Sequence, residues 1–373
     1  MSVAMARADQ LSAEMQSFVN QSALFQPVDD SLMQMRVAYD ALCRHFTPPL
    51  PDGVQLEDHL LPVDGRHIPL RLYRPATATP SAGWPCVLYL HGGGWVLGGL
   101  DSHAFIAALL AQECAASVLV VDYRLAPEHV FPAAFDDCLA VWDWLSVDGL
   151  ALGINPARVV VAGDSAGSNL AAALCLATRG RQGPPLCGQA LIYPALAAVP
   201  TEPAASEHAD APLLGRDDMA YYLAQYAPDP ATHADPRLAP LAAANLQGMP
   251  PAFVAVAEYD PLRDDGLLYV RRLQASGVAA QYHLGRGLLH GCCASGSRGR
   301  RPPAWSAHCQ RPSLACLLTR HDMDRHDMGC SAMPCGAAPP SPDLAMLIRK
   351  AWPDKKRAGI YRPVTTPSRG EHP

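Results

Sequence analysis

Five short, densely apolar runs constrain what this chain can fold into: 84–91 (WPCVLYLH), 116–123 (ASVLVVDY), 158–165 (RVVVAGDS), 189–194 (QALIYP) and 252–260 (AFVAVAEYD). None shows the polar alternation of a half-exposed strand, so each suits a strand covered on both faces. Segments 102–115, 132–147 and 165–180 lie between them and have helical length and periodicity. Strand, helix, strand repeated this way predicts an α/β fold, a mostly parallel central sheet with helices on both faces. The alternating run IPLRLYRP (68–75) predicts an outer strand.

Residues 1–50 read as an N-terminal helical segment that ends at the turn-rich TPPLPDG. The body, 51–291, is interrupted at about 199–240 by a segment rich in Ala, Pro and Asp with a helical patch at 216–227. This insertion and the N-terminal helices are the expected helical cap, because ligand-contacting variation concentrates outside scaffold strands.

Charge excludes some functions. Up to Gly291 there are 16 Lys and Arg against 29 Asp and Glu, whereas the remainder carries 13 against 6. An acidic body has no electrostatic footprint for nucleic acid. No run of 18 apolar residues predicts stable membrane insertion, and the N-terminus lacks a secretory apolar run, so a cytoplasmic location is expected. Six body cysteines, Cys43, Cys86, Cys114, Cys138, Cys175 and Cys187, fall in apolar or helical segments and read as reduced, mostly buried thiols.

The chemistry is signalled first by VVVAGDSAG. A buried-type strand enters Gly163-Asp164-Ser165-Ala166-Gly167 and leaves as a helix, the context that G-x-S-x-G requires. Ser165 is the candidate nucleophile, exposed by a sharp turn at the positive end of a helix. Alone, the pentapeptide leaves open the alternative that small residues simply ease a strand-to-helix turn, as in a phosphate-binding loop. Upstream, however, His91-Gly92-Gly93-Gly94-Trp95 ends another strand. Consecutive glycines sacrifice backbone entropy and packing, which suggests amides turned toward a ligand. In an ester hydrolase that ligand is the oxyanion, met by amides of this loop and of Ala166.

Chain order then requires an acid followed by a base. Asp260 stands at the C-terminal end of a buried-type strand, where parallel sheets carry chemistry. Asp264 and Asp265 compete, but lie where acidic side chains cap a helix. His290 follows the strand-like 279–287 in a glycine-flanked loop and is the candidate base, with Asp260 fixing its tautomer.

HGGGW, DYRLAPEHVFPAAFDD, GDSAG and DPLRDDG followed by LLHG together resemble the hormone-sensitive-lipase-like group of α/β-hydrolases, the bacterial family IV esterases, over roughly residues 30–291. The resemblance implies an α/β-hydrolase fold with a cap and a Ser165, Asp260, His290 triad. It also implies an oxyanion hole of Gly92, Gly93 and Ala166 amides, no cofactor, and hydrolysis of short to medium acyl esters. His91, Gly94, Trp95, Asp164 and Tyr123 would support the site, Tyr123 as the start of the YRLAPE loop. Ser168 stands where many relatives have a third glycine, a small substitution expected to be tolerated. Arg124 and Glu128, at the end of a buried strand, need charged partners.

The expected partner is a small-molecule ester, with a homodimer left open. Amidase, lactonase and transacylase activities use the same triad, and a non-catalytic binding protein could share the fold. The cluster at 321–330, RHDMDRHDMGC by its flanks, matches no strong zinc spacing. From Cys292 onward the composition changes, with 11 of 36 prolines, six of twelve cysteines and all three lysines in 292–373. A reading-frame change in a GC-rich gene is one explanation of that shift, and a flexible basic extension is the alternative.

Overall fold

Serines start the first two helices. In the computed structural model, which describes residues 11–294, Ser12 accepts the Met15 N–H at 3.1 Å and caps α1 (Ala13–Ser22). Ser31 accepts that of Gln34 at 3.3 Å and caps α2 (Leu32–Phe46). The sheet begins as a hairpin, β1 (Val54–Val63) and β2 (Arg66–Pro75), closed by Asp64 and Gly65 with φ of 44° and 78°. Two left-handed residues give the turn twist that antiparallel strands require.

The chain then alternates. β3 (Trp84–Leu90) is followed by α3 (Ala104–Cys114), β4 (Ser117–Val121) by α4 (Ala133–Asp148), and β5 (Ile154–Asp164) by α5 (Ala166–Thr178). After β6 (Gly188–Ile192) come two cap-side helices, α6 (Ala204–Glu207) and α7 (Arg216–Tyr226). β7 (Ala252–Tyr259), α8 (Arg263–Ala275) and β8 (Ala280–Leu289) complete the sheet. Its order is β1-β2-β4-β3-β5-β6-β7-β8, antiparallel from β1 to β4 and parallel from there on.

Period-two side-chain placement builds a core on each face. Leu88 and Leu90 of β3 join a cluster with α4, α5 and α8, while Val87 and Tyr89 join another with α3 and α1. The dense runs are therefore strands because both faces are covered. β2 is not the outermost strand, since β1 pairs outside it. β1 carries Glu57 and Asp58 on an edge that meets solvent, which masks its strand pattern.

Cys43, Cys86, Cys138 and Cys175 are buried, Cys114 and Cys187 half-buried, all as thiols. Packing continues past Gly291: Cys292 and Cys293 sit in a short turn, Cys292–Ala294, and bury against the α3 side of the core. The remainder of the atypical tail, including the 321–330 cluster, lies outside the described residues. Among the described residues no helix is long and apolar enough to cross a membrane.

Candidate active site

Strand β5 ends at Asp164 and helix α5 begins at Ala166, so the backbone reverses at Ser165 alone. Ser165 adopts φ 52° and ψ −119°, a conformation that a non-glycine residue holds only under constraint from its surroundings. The constraint comes from both sides. The Ser165 N–H donates to the Ile192 carbonyl at 2.9 Å, and a Cβ at Gly163 would approach the Leu90 carbonyl oxygen to 2.5 Å. Ser168 is more than tolerated in place of a glycine. Its Oγ accepts the Ile192 N–H at 2.8 Å and lies 2.6 Å from the Gly163 carbonyl, tying turn to β6.

The other two partners sit at the ends of neighbouring strands. His290 Nε2 is 2.8 Å from Ser165 Oγ, and its Nδ1 is 2.8 Å from Asp260 Oδ2. Asp260 is wholly buried and His290 nearly so. The second carboxylate oxygen of Asp260 accepts the Leu262 N–H at 2.8 Å, which fixes its plane. With an acid on Nδ1 the imidazole keeps its proton there and leaves Nε2 as acceptor for the serine proton. Tyr193 packs its ring 4.5 Å from that of His290, and its hydroxyl contacts Cys293 Sγ.

Asp264 and Asp265 are excluded as the acid, because both are committed elsewhere. Asp265 accepts the N–H groups of Leu196, Ala197 and Thr201, and Asp264 that of Ala204. They anchor the 196–204 segment instead of capping α8.

The glycine loop departs from expectation at one position. The Gly92 N–H donates to Asp164 Oδ1 at 3.0 Å, so this amide is already used and does not face the cavity. Gly93 and Gly94, with φ of 120° and 61°, do line the cavity beside Ser165 and Ala166. His91 stacks on Tyr123 at 4.3 Å, and the Tyr123 hydroxyl donates to the His91 carbonyl at 2.6 Å. Burial, aided by nearby His103, pushes the His91 imidazole down to about 4. Trp95 stacks on Tyr226 of α7 at 4.7 Å.

Asp164 also accepts from the Tyr89 hydroxyl at 2.8 Å and from His103 Nε2 at 3.2 Å. Burial raises its carboxyl, but the charge and hydrogen bond of His103 outweigh this and leave it below the ordinary carboxylate value. The charged residues of the YRLAPE loop are paired as required. Arg124 donates to buried Asp137, which Arg66 also meets, and Glu128 pairs with Arg36 of α2 at 2.7 Å. Arg36 further donates to the carbonyls of Val96 and Ala126, so the N-terminal segment is fastened directly to the glycine loop.

Ser165 and His290 open into a cavity of about 390 Å³. Its wall is mainly apolar and draws on the N-terminal helices through Phe18 and Leu42, and on the 199–240 insertion through Leu214, Met219 and Leu223. The arrangement can deprotonate a serine and hold an acyl group in an apolar chamber. Among the described residues no group of three His, Cys, Asp or Glu could hold a metal ion.

Residues 87–294 match the alpha/beta hydrolase fold family. The chain is 44% identical over 264 residues to the carboxylesterase NlhH of Mycobacterium tuberculosis, covering 69% of this chain and 82% of that one. The chain belongs to the hormone-sensitive-lipase-like, family IV esterases of the alpha/beta-hydrolase fold. This esterase is also 40% identical over 237 residues to an ethyl acetate hydrolase of Pseudomonas putida, covering 63% of this chain and 74% of the relative. Among solved structures, an esterase of the archaeon Pyrobaculum calidifontis superimposes with a TM-score of 0.74 at 33% identity, covering 83% of this chain and 98% of its own.

His103 and Tyr193 belong to the esterase site although no sequence motif marks them. His103 stands in GGLDSHA, eight residues after Trp95, with no motif to mark it. Tyr193 directly follows β6, and its neighbour Pro194 already signals a strand end, but the approach of His290 depends on tertiary structure alone.

Proposed function

We propose that the esterase cleaves short to medium acyl esters through an acyl-enzyme on Ser165. The chain of hydrogen bonds from Asp260 through His290 to Ser165, opening into an apolar cavity of about 390 Å³, carries this reading. Ser165 Oγ attacks the ester carbonyl while His290 Nε2 takes its proton. Asp260 keeps the imidazole in the productive tautomer and stabilises the imidazolium that forms. The carbonyl oxygen, now negative, is received by the amides of Gly93, Gly94 and Ala166, where donors aimed at developing charge act most strongly. Collapse of the tetrahedral intermediate expels the alcohol, which takes the proton from His290. Water then enters, loses a proton to His290 and attacks the acyl carbon, releasing the acid and restoring Ser165.

The N-terminal helices and the 199–240 insertion act together as the cap that bounds the acyl chamber. Cavity size supports a preference for small acyl groups, and the ethyl acetate hydrolase relative points the same way. The protein acts in the cytoplasm on a small-molecule ester, with a homodimer as the assembly to be tested by sedimentation. A series of p-nitrophenyl esters from acetate to palmitate, measured beside an anilide and a lactone, tests the reading. Highest kcat/KM for acyl chains of two to about eight carbons, with slow anilide and lactone turnover, is expected. Preference for the anilide, the lactone or palmitate would overturn it.

A further inference from the structure

We infer that His103 is a positioning residue of the esterase: through the Asp164 carboxylate it holds the Gly92 amide, and with it the glycine loop, in register with the nucleophile turn. The inference rests on the reading that the Gly93 and Gly94 amides receive the oxyanion.

Asp164 directly precedes Ser165, so its backbone belongs to the turn while its carboxylate reaches the end of β3. Oδ1 accepts both the Tyr89 hydroxyl at 2.8 Å and the Gly92 N–H at 3.0 Å, and His103 Nε2 lies 3.2 Å from each of the two carboxylate oxygens. Gly92 is pressed so closely on this group that a Cβ there would overlap the Asp164 side chain. Any rotation of the carboxylate must therefore move the peptide that begins the loop.

His103 is itself held from behind. Its Nδ1 lies 2.8 Å from Ser102 Oγ, and that hydroxyl donates to the Gly99 carbonyl at 2.9 Å while accepting the Gly99 N–H at 3.0 Å. Ser102, His103 and Asp164 are all buried, which places these bonds in a site of low effective dielectric. The loop closes on the far side through Val96 and Leu97, whose N–H groups donate to the Gly93 carbonyl at 3.1 and 2.8 Å. The amides of Gly93 and Gly94 are thus suspended between the Asp164 clamp and this turn. Loosening the clamp displaces donors that matter only when the oxyanion forms, so the loss should fall on kcat and spare KM.

Two substitutions of matched chemistry separate positioning from packing. His103→Gln places an amide N–H near the position of Nε2 and can still donate to Asp164; His103→Asn reaches only toward Ser102. Both remain polar and smaller than histidine. With a short p-nitrophenyl ester, His103→Asn should lower kcat about 10- to 100-fold, the scale of a displacement of about 1 Å, with KM little changed. His103→Gln should retain most of the wild-type kcat. Affinity for a trifluoromethyl ketone, whose adduct is tetrahedral, should fall in parallel with kcat.

Titration with a phosphonate ester, which labels the nucleophile, distinguishes the two possible failures. No labelling of Ser165 in the wild-type protein would overturn the serine-esterase reading. Full labelling together with equal kcat in the Gln and Asn variants, whether both high or both low, would overturn the role of His103 alone.

Discussion

Gly167 stands against the carbonyl oxygen of Leu90 with no space for a Cβ between them. The first turn of α5 therefore packs directly on the end of β3, the same strand that delivers the glycine loop. This close approach explains why the pentapeptide ends in glycine, although Gly167 itself is helical and its φ is ordinary.

Gly167→Ala must push α5 away from β3 and with it Ser165. A loss of about 3 kcal/mol or more is expected, at the upper end of overpacking effects. Denaturant unfolding checks it, together with ester hydrolysis per mole of folded protein, which should fall as well. Wild-type stability would mean that the turn is not this tightly packed.

Ser168→Ala should behave differently. It removes the acceptor of the buried Ile192 N–H without changing the turn's glycine contacts. Leaving that donor unpaired should cost about 1–3 kcal/mol, with kcat per folded molecule close to wild type. Thermal unfolding beside steady-state kinetics separates the two effects.

His91 predicts a pH dependence of stability. Its imidazole is lowered to about 4 in the folded protein against an ordinary 6.5. Between those values the unfolded chain binds the proton more readily, so this group's contribution is present above pH about 6.5 and is lost as pH falls toward 4. The full loss is about 3 kcal/mol. Asp122 and Asp265, both raised to about 6 by burial, act with the opposite sign, favouring the folded state as pH falls through 6. The His91 share is therefore read as a difference: urea unfolding of wild type and His91→Asn from pH 7.5 to 4.5 should give curves whose separation narrows as the pH falls. A constant separation would contradict it.

Much of this was legible in the chain because the signals were local. The five dense runs became strands β3 to β7, since covering both faces of a strand leaves no polar positions to obscure it. Ser165, Asp260 and His290 were legible from strand ends and chain order, and the hydrogen bonds bring all three together. β1 was missed although Asp64-Gly65 is a hairpin signal, because its exposed edge is charged. The Gly92 amide was misassigned for a different reason. Whether a glycine-loop N–H faces a ligand or a neighbour depends on where Asp164 lands, and the parallel pairing of β3 with β5 brings it to Gly92 across 72 residues of sequence. His103 was invisible on the same grounds, since its role exists only through that carboxylate.

The covalent intermediate on Ser165 is the central claim, and rapid-quench intact-mass analysis during turnover of p-nitrophenyl acetate tests it most directly. One added acetyl group per chain is expected, located by peptide mapping to Ser165, with neither adduct nor turnover above background in Ser165→Ala. Ester hydrolysis by Ser165→Ala at the wild-type rate, or a kinetically competent acetyl group on another residue, would contradict it.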